Sequence, residues 1–122
     1  MSERHVAVVT GGGTGIGAAC CRALAKEGFR VGIHYRRSAG GAKSVLEEVG
    51  NGFLIRADLA DLDQEEPKAN GLKESAGRLH VLVNNAGASI NADILTMKAE
   101  QFDEQRGLTR GIWYLTKRII RL

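Results

Sequence analysis

Eight residues near the amino terminus, Thr10-Gly11-Gly12-Gly13-Thr14-Gly15-Ile16-Gly17, have the composition and spacing to hold an anion. Most carry little or no side chain, so backbone N–H groups and the positive end of a helix dipole can approach a pyrophosphate unobstructed. A glycine run is also what a flexible loop looks like, and G-x-G-x-x-G alone is weak evidence. The flanks favour the nucleotide reading. His5-Val6-Ala7-Val8-Val9 before the loop reads as a short buried parallel strand. After it, Ile16, Ala19, Cys20, Ala23 and Leu24 recur with the period of a helix packed on a sheet.

A second group bears on which nucleotide. A dinucleotide fold places an acidic residue at the end of its second strand, where it accepts hydrogen bonds from the ribose hydroxyls. This chain has Tyr35-Arg36-Arg37-Ser38 there, with no carboxylate. A 2′-phosphate is strongly anionic, and a guanidinium binds it bidentately. Arg36 is the first choice for that contact, with Arg37 and Ser38 assisting, and NADP(H) is expected over NAD(H). The alternative is a pair of solvated surface arginines.

The elements that must position these groups alternate along the chain. A second strand spans Phe29 to Tyr35, and a second helix shows the stripe Ala42, Val45, Leu46 and Val49, closed by Gly50-Asn51-Gly52. Phe53-Leu54-Ile55 is a third strand leading into Ala57-Asp58-Leu59. A poor helix is expected from about Asp63 to Gly77, with Pro67 just inside it and the turn pair Asn70-Gly71 in its middle. His80 to Asn84 is a fourth buried strand. A long helix follows, with Leu108, Ile112, Leu115, Ile119 and Leu122 on one face and Gly107 and Gly111 weakening its first half. Strands joined by helices run parallel through right-handed crossovers. The fold class is therefore α/β: an incomplete Rossmann-type doubly wound sheet of about four strands, in the order 3-2-1-4. Ligands bind such sheets at the carboxyl ends of the strands, where the order reverses. That point lies between the first and fourth strands, and it brings Asn84-Asn85-Ala86-Gly87 beside the glycine loop.

Composition limits the rest. The 122 residues form one domain of modest size, with 43% hydrophobic and 25% charged residues. A net charge of +3, evenly spread, does not suggest nucleic acid. No apolar run reaches membrane-spanning length, and Met1-Ser2-Glu3-Arg4 lacks a signal-peptide pattern. Cys20 and Cys21 are adjacent on the first helix and cannot form an ordinary structural disulfide. Cys20, on the apolar stripe, is expected to act as a small core residue. A reducing cytoplasm is the expected location, and no metal site is expected.

The loop Thr10–Gly17, the acidic turn Asp58-Leu59-Ala60-Asp61 and the segment Asn84–Gly87 occur in the order and on the elements of the short-chain dehydrogenase/reductase family, which this chain resembles. Within it the look is that of the 3-oxoacyl-acyl-carrier-protein reductase group, and the match is to the N-terminal half of family members. The resemblance implies that Gly11, Gly12, Gly13, Thr14 and Ile16, in a loop completed by Gly15 and Gly17, line the cofactor phosphates and adjoining ribose. Asp58 and Leu59 would meet the adenine, and Asn85, followed by Ala86 and Gly87, would lie near the riboses. Asn84 has two readings, a strand-stitching amide or a site residue.

The same resemblance implies general-acid catalysis by a tyrosine with a lysine four residues on, sharing one helix face. This sequence has no Y-x-x-x-K: Tyr35 has Ala39 at that spacing and Tyr114 has Arg118. An arginine does not deprotonate and cannot join a proton relay. Tyr114 and Trp113 are therefore expected to be packing or interface aromatics, and no catalytic residue is assigned. Where the family carries N-L-x-G, the chain has Leu108-Thr109-Arg110-Gly111; with Pro67, Asn70 and His80 this suggests relaxed constraint. The expectation is one NADP-binding domain over 1–122, lacking the catalytic half. With an apolar edge at Val81 to Val83, it is prone to self-association or in need of a complementary chain. Completed, it would transfer hydride between NADP(H) and a carbonyl or alcohol, with a 3-oxoacyl thioester the best guess. The alternatives are a non-enzymatic nucleotide-binding or dimerising module, or a truncated remnant.

Overall fold

The computed structural model describes residues 5–58, 78–86 and 93–119. The expected helix from Asp63 to Gly77, and the positions Leu59 and Gly87, lie outside them.

Among the described residues there are four short strands: β1 (Val6–Val9), β2 (Arg30–Tyr35), β3 (Gly52–Arg56) and β4 (Val81–Val83). They pair in parallel in the order β3-β2-β1-β4, as the alternation of strand and helix requires. Val6 to Val9 stand opposite Arg30 to Ile33 on one side, and Ala7 to Val9 opposite Val81 to Val83 on the other. All of β1 is buried, as expected for a central parallel strand covered on both faces.

Successive strand residues point to opposite faces, so the sheet has two cores. On one face Val9, Val31 and Ile33 pack with Ala18 and Cys21 of α1 (Gly15–Lys26) and Ala42 and Val45 of α2 (Ala39–Val49). On the other, Val8 meets Leu115 of α3 (Ala99–Ile119), with Leu108, Ile112, Phe53, Ile55 and Leu82 around them. α3 runs unbroken through Gly107 and Gly111, so its apolar face outweighs two poor helix formers. None of the described helices is long and apolar enough to cross a membrane.

The inward face of α1 is only in part the expected one: Cys20 and Leu24 are half-buried against the core, but the rest of the stripe is not. Ile16 is 76% exposed, and Ala19 and Ala23 are exposed with it. The buried residues are Gly17, Ala18 and Cys21. The cause is backbone contact: a Cβ on Gly17 would fall on the Gly11 carbonyl oxygen, so Gly17 faces the loop and the helix turns with it. Cys20 is consequently only partly buried, and the core cysteine is Cys21. Its thiol points to the Gly12 carbonyl oxygen at 3.7 Å, and burial pushes it up to about 11.

His80 has specific partners at the start of β4. Its N–H donates to the Val6 carbonyl (2.9 Å), its Nδ1 accepts the Val6 N–H (3.0 Å), and its ring stacks on His5 at 4.2 Å. It closes the β1–β4 ladder at its starting end.

Candidate nucleotide site

The carboxyl ends of β1, β2 and β3 open into one cleft of about 300 Å³, at the small end of ligand pockets. Gly11, Gly13 and Thr14 line it from the loop after β1; Tyr35, Arg36, Arg37 and Ser38 line it from the end of β2. Asp58, Ala86 and Leu108 contribute from behind β3, behind β4 and from α3.

The loop reaches α1 without a side-chain cap on its first turn. Thr14, the residue before the helix, has extended backbone (φ −146°, ψ 160°) and makes no side-chain cap, and the first turn of α1 holds no acidic residue. A helix start with uncapped amides and no competing carboxylate attracts an anion. Gly11 needs its missing side chain twice over. Its φ is +64°, and a Cβ there would come within 3.0 Å of the Ala86 Cα. Gly15, also at positive φ (+53°), stands in open space.

The buried Thr10 hydroxyl joins this loop to the end of β4. It accepts the N–H groups of Asn85 (2.9 Å) and Ala86 (3.0 Å) and lies 3.3 Å from the Val83 carbonyl oxygen, to which it donates. Asn85 returns the contact, its Nδ2 donating to the carbonyls of Thr10 (3.2 Å) and Gly11 (3.1 Å). The strand-stitching amide is therefore Asn85 and not Asn84. Asn84 Nδ2 donates to Thr116 Oγ1 of α3 at 3.2 Å, because the end of β4 turns its side chain outward.

His34 was not among the expected site residues. It is buried at the end of β2, where its Nδ1 accepts the Gly11 N–H at 3.0 Å. Nε2, which then carries the proton, donates to the Ala57 carbonyl at 2.9 Å. Burial holds its pKa below the ordinary imidazole value, against smaller opposing effects of the Ala57 carbonyl and the Asp58 charge. A signal existed: a polar ring in the apolar run Val31-Gly32-Ile33-His34 must find partners once buried.

Arg36 lines the cleft as expected, but its guanidinium is engaged. Nε lies 3.4 Å from Asp58 Oδ2, and Nη1 lies 3.4 Å from Glu104 Oε1 of α3. Arg37 and Ser38 beside it are exposed. Glu104 was not foreseen, because its approach depends on how α3 packs. Tyr114 is half-buried at the far end of α3, and Lys117 Nζ lies 5.3 Å from the centre of the Trp113 ring.

The loop, the Asn85 segment and the parallel order 3-2-1-4 form one constellation, and a sequence model described as short chain dehydrogenase matches residues 5–108. The chain belongs to this family. It is 35% identical over 108 residues to the 3-oxoacyl-[acyl-carrier-protein] reductase FabG of Staphylococcus aureus, covering 85% of this chain and 44% of that protein. A 3-oxoacyl-[acyl-carrier-protein] reductase of Synechocystis is 33% identical over 123 residues, covering 97% and 50%. Among solved structures, a short chain dehydrogenase from Burkholderia cenocepacia in complex with NADP superposes with a TM-score of 0.91 at 30% identity. That match covers 96% of this chain and 50% of the other. The family member described here thus spans about half the length of the relatives it matches.

Proposed function

We propose that this chain is the NADP(H)-binding portion of a short-chain dehydrogenase/reductase-type oxidoreductase. One juxtaposition carries the reading: Gly13 and Thr14, which lead into the uncapped start of α1, line the same cleft as Arg36, and no carboxylate stands in Tyr35-Arg36-Arg37-Ser38 at the end of β2. Gly13 to Gly17 would hold the diphosphate, with Gly11 and Gly12 shaping the loop beneath it. Asp58 and Leu59 would meet the adenine, and Asn85, Ala86 and Gly87 would border the riboses. Arg36, assisted by Arg37 and Ser38, would take the 2′-phosphate, exchanging its half-exposed contact with Glu104 for a more strongly charged partner.

When bound, the cofactor supplies or accepts a hydride at a carbonyl or alcohol carbon. A 3-oxoacyl thioester is the substrate class favoured by the names of the relatives. The residues here bind and orient; the 122-residue sequence holds no Tyr-x-x-x-Lys to move the proton, so as written it is catalytically incomplete. Exposed Phe102 and Trp113 on α3 support self-association or a complementary chain.

The test is cofactor preference. A bidentate charged contact contributes about 1.5–3 kcal/mol, roughly 10- to 150-fold in affinity. NADPH should therefore bind tighter than NADH by about that factor, and Arg36→Ala should remove most of the difference. Equal affinity of the wild-type chain for the two would refute the charge argument.

A further inference from the structure

Among the described residues, one buried side chain touches both walls of the cleft. His34 takes the N–H of Gly11, in the loop before α1, on one ring nitrogen, and offers the other to the carbonyl of Ala57, the residue before Asp58. The two bonds, 3.0 and 2.9 Å, lie at opposite ends of a rigid ring that is 4% exposed. The Gly12 N–H is bound to the His34 carbonyl at 2.8 Å, so two consecutive loop residues are held by one residue of β2. The Gly11 and Gly12 amides are therefore turned inward, away from an incoming anion.

We propose that His34 is a positioning residue of the dinucleotide cleft, an imidazole strut that fixes the phosphate-facing loop and the adenine-facing segment at one separation. The inference rests on the cofactor reading above. A dinucleotide spans both walls at once, so a wandering separation costs affinity for the whole ligand more than it costs the fold. The strut needs an acceptor at one end and a donor at the other, with the ring neutral. A carboxamide has both groups, and an aliphatic side chain has neither.

The experiment measures NADPH affinity by calorimetry for the full chain and for His34→Gln, His34→Leu and Val6→Ala, with the urea midpoint of each. Val6, at the far end of β1 from the cleft, supplies a core lesion away from the site. His34→Leu should bind at least about tenfold more weakly than wild type, His34→Gln within about threefold, and Val6→Ala should keep its affinity despite a lower midpoint. Nitrogen NMR of the wild-type ring at pH 7 should show the proton on Nε2 alone. The proposal is overturned by a folded His34→Leu that binds within about threefold of wild type, or by His34→Gln binding as weakly as His34→Leu. It is equally overturned by Val6→Ala losing affinity to the same extent. Should His34→Leu fail to fold, His34→Gln and the ring spectrum decide, and a proton on Nδ1 overturns it. Wild-type binding with no effect at position 34 refutes the strut alone; absence of wild-type NADPH binding removes the cofactor reading and this inference with it.

Discussion

Replacing Thr10 with valine isolates the hydroxyl that joins the glycine loop to the end of β4. Valine has nearly the same shape, so little cavity is left, but the group that accepts the Asn85 and Ala86 N–H groups and donates to Val83 is gone. Thr10 is fully buried, and each orphaned amide costs about 1–3 kcal/mol. The added methyl offsets about 1 kcal/mol of this, so the two orphaned amides leave a net loss of about 1–5 kcal/mol. Against a typical total of about 5–15 kcal/mol this is a large fraction. With a urea slope of about 2 kcal/mol/M, the unfolding midpoint should fall by about 0.5–2.5 M. Thr10→Ser keeps the hydroxyl and should lose far less. Urea titration followed by circular dichroism reads all three chains. A Thr10→Val midpoint equal to wild type would show that these bonds do not hold the loop.

Three further outcomes follow from the same geometry. Gly17→Ala sets a methyl group against the Gly11 carbonyl; overpacking of about 1–3 kcal/mol exceeds the roughly 1 kcal/mol gained in helix propensity, so the chain should lose stability and NADPH affinity together, and unchanged calorimetric binding would contradict the contact. His34 stays neutral in the folded chain below its ordinary pKa, whereas the unfolded chain takes up that proton. The stability it confers is whole above about pH 6.5 and lost as pH falls from there toward the lower folded value, by up to about 1.4 kcal/mol per pH unit. Urea midpoints between pH 7.5 and 5 should fall more steeply for wild type than for His34→Gln, and parallel curves would refute this. Burial and a thiol raised to about 11 make Cys21 unreactive, so Cys20→Ala should resist a thiol reagent until urea is added; rapid native labelling would contradict its placement.

What could be read from the sequence follows the range of the interactions. Four apolar runs separated by helical stripes dictate a parallel sheet, and the chirality of crossovers leaves 3-2-1-4 as the natural order. The glycine loop, Arg36 and Asp58 come together because they follow three adjacent strands in that sheet. The face of α1 was misread because periodicity counts apolar side chains, whereas the rotation is set by a glycine, Gly17, pressed against backbone. Cys21 is the fully buried cysteine, and Cys20 only borders the core, for the same reason. The stitching contacts fall to Asn85 and not Asn84 because adjacent residues leaving a strand point in opposite directions, and no local pattern says which. His34 and Glu104 matter through contacts 23 and 68 residues apart, invisible to any short window.

The most direct measurement is calorimetric titration of the purified 122-residue chain with NADPH. Saturable binding at one site per chain, weakened by Gly17→Ala, is the result expected of a glycine loop that grips a diphosphate. A cooperatively folded chain that releases no heat with NADPH, and whose urea midpoint is unmoved by a large excess of it, would contradict the account.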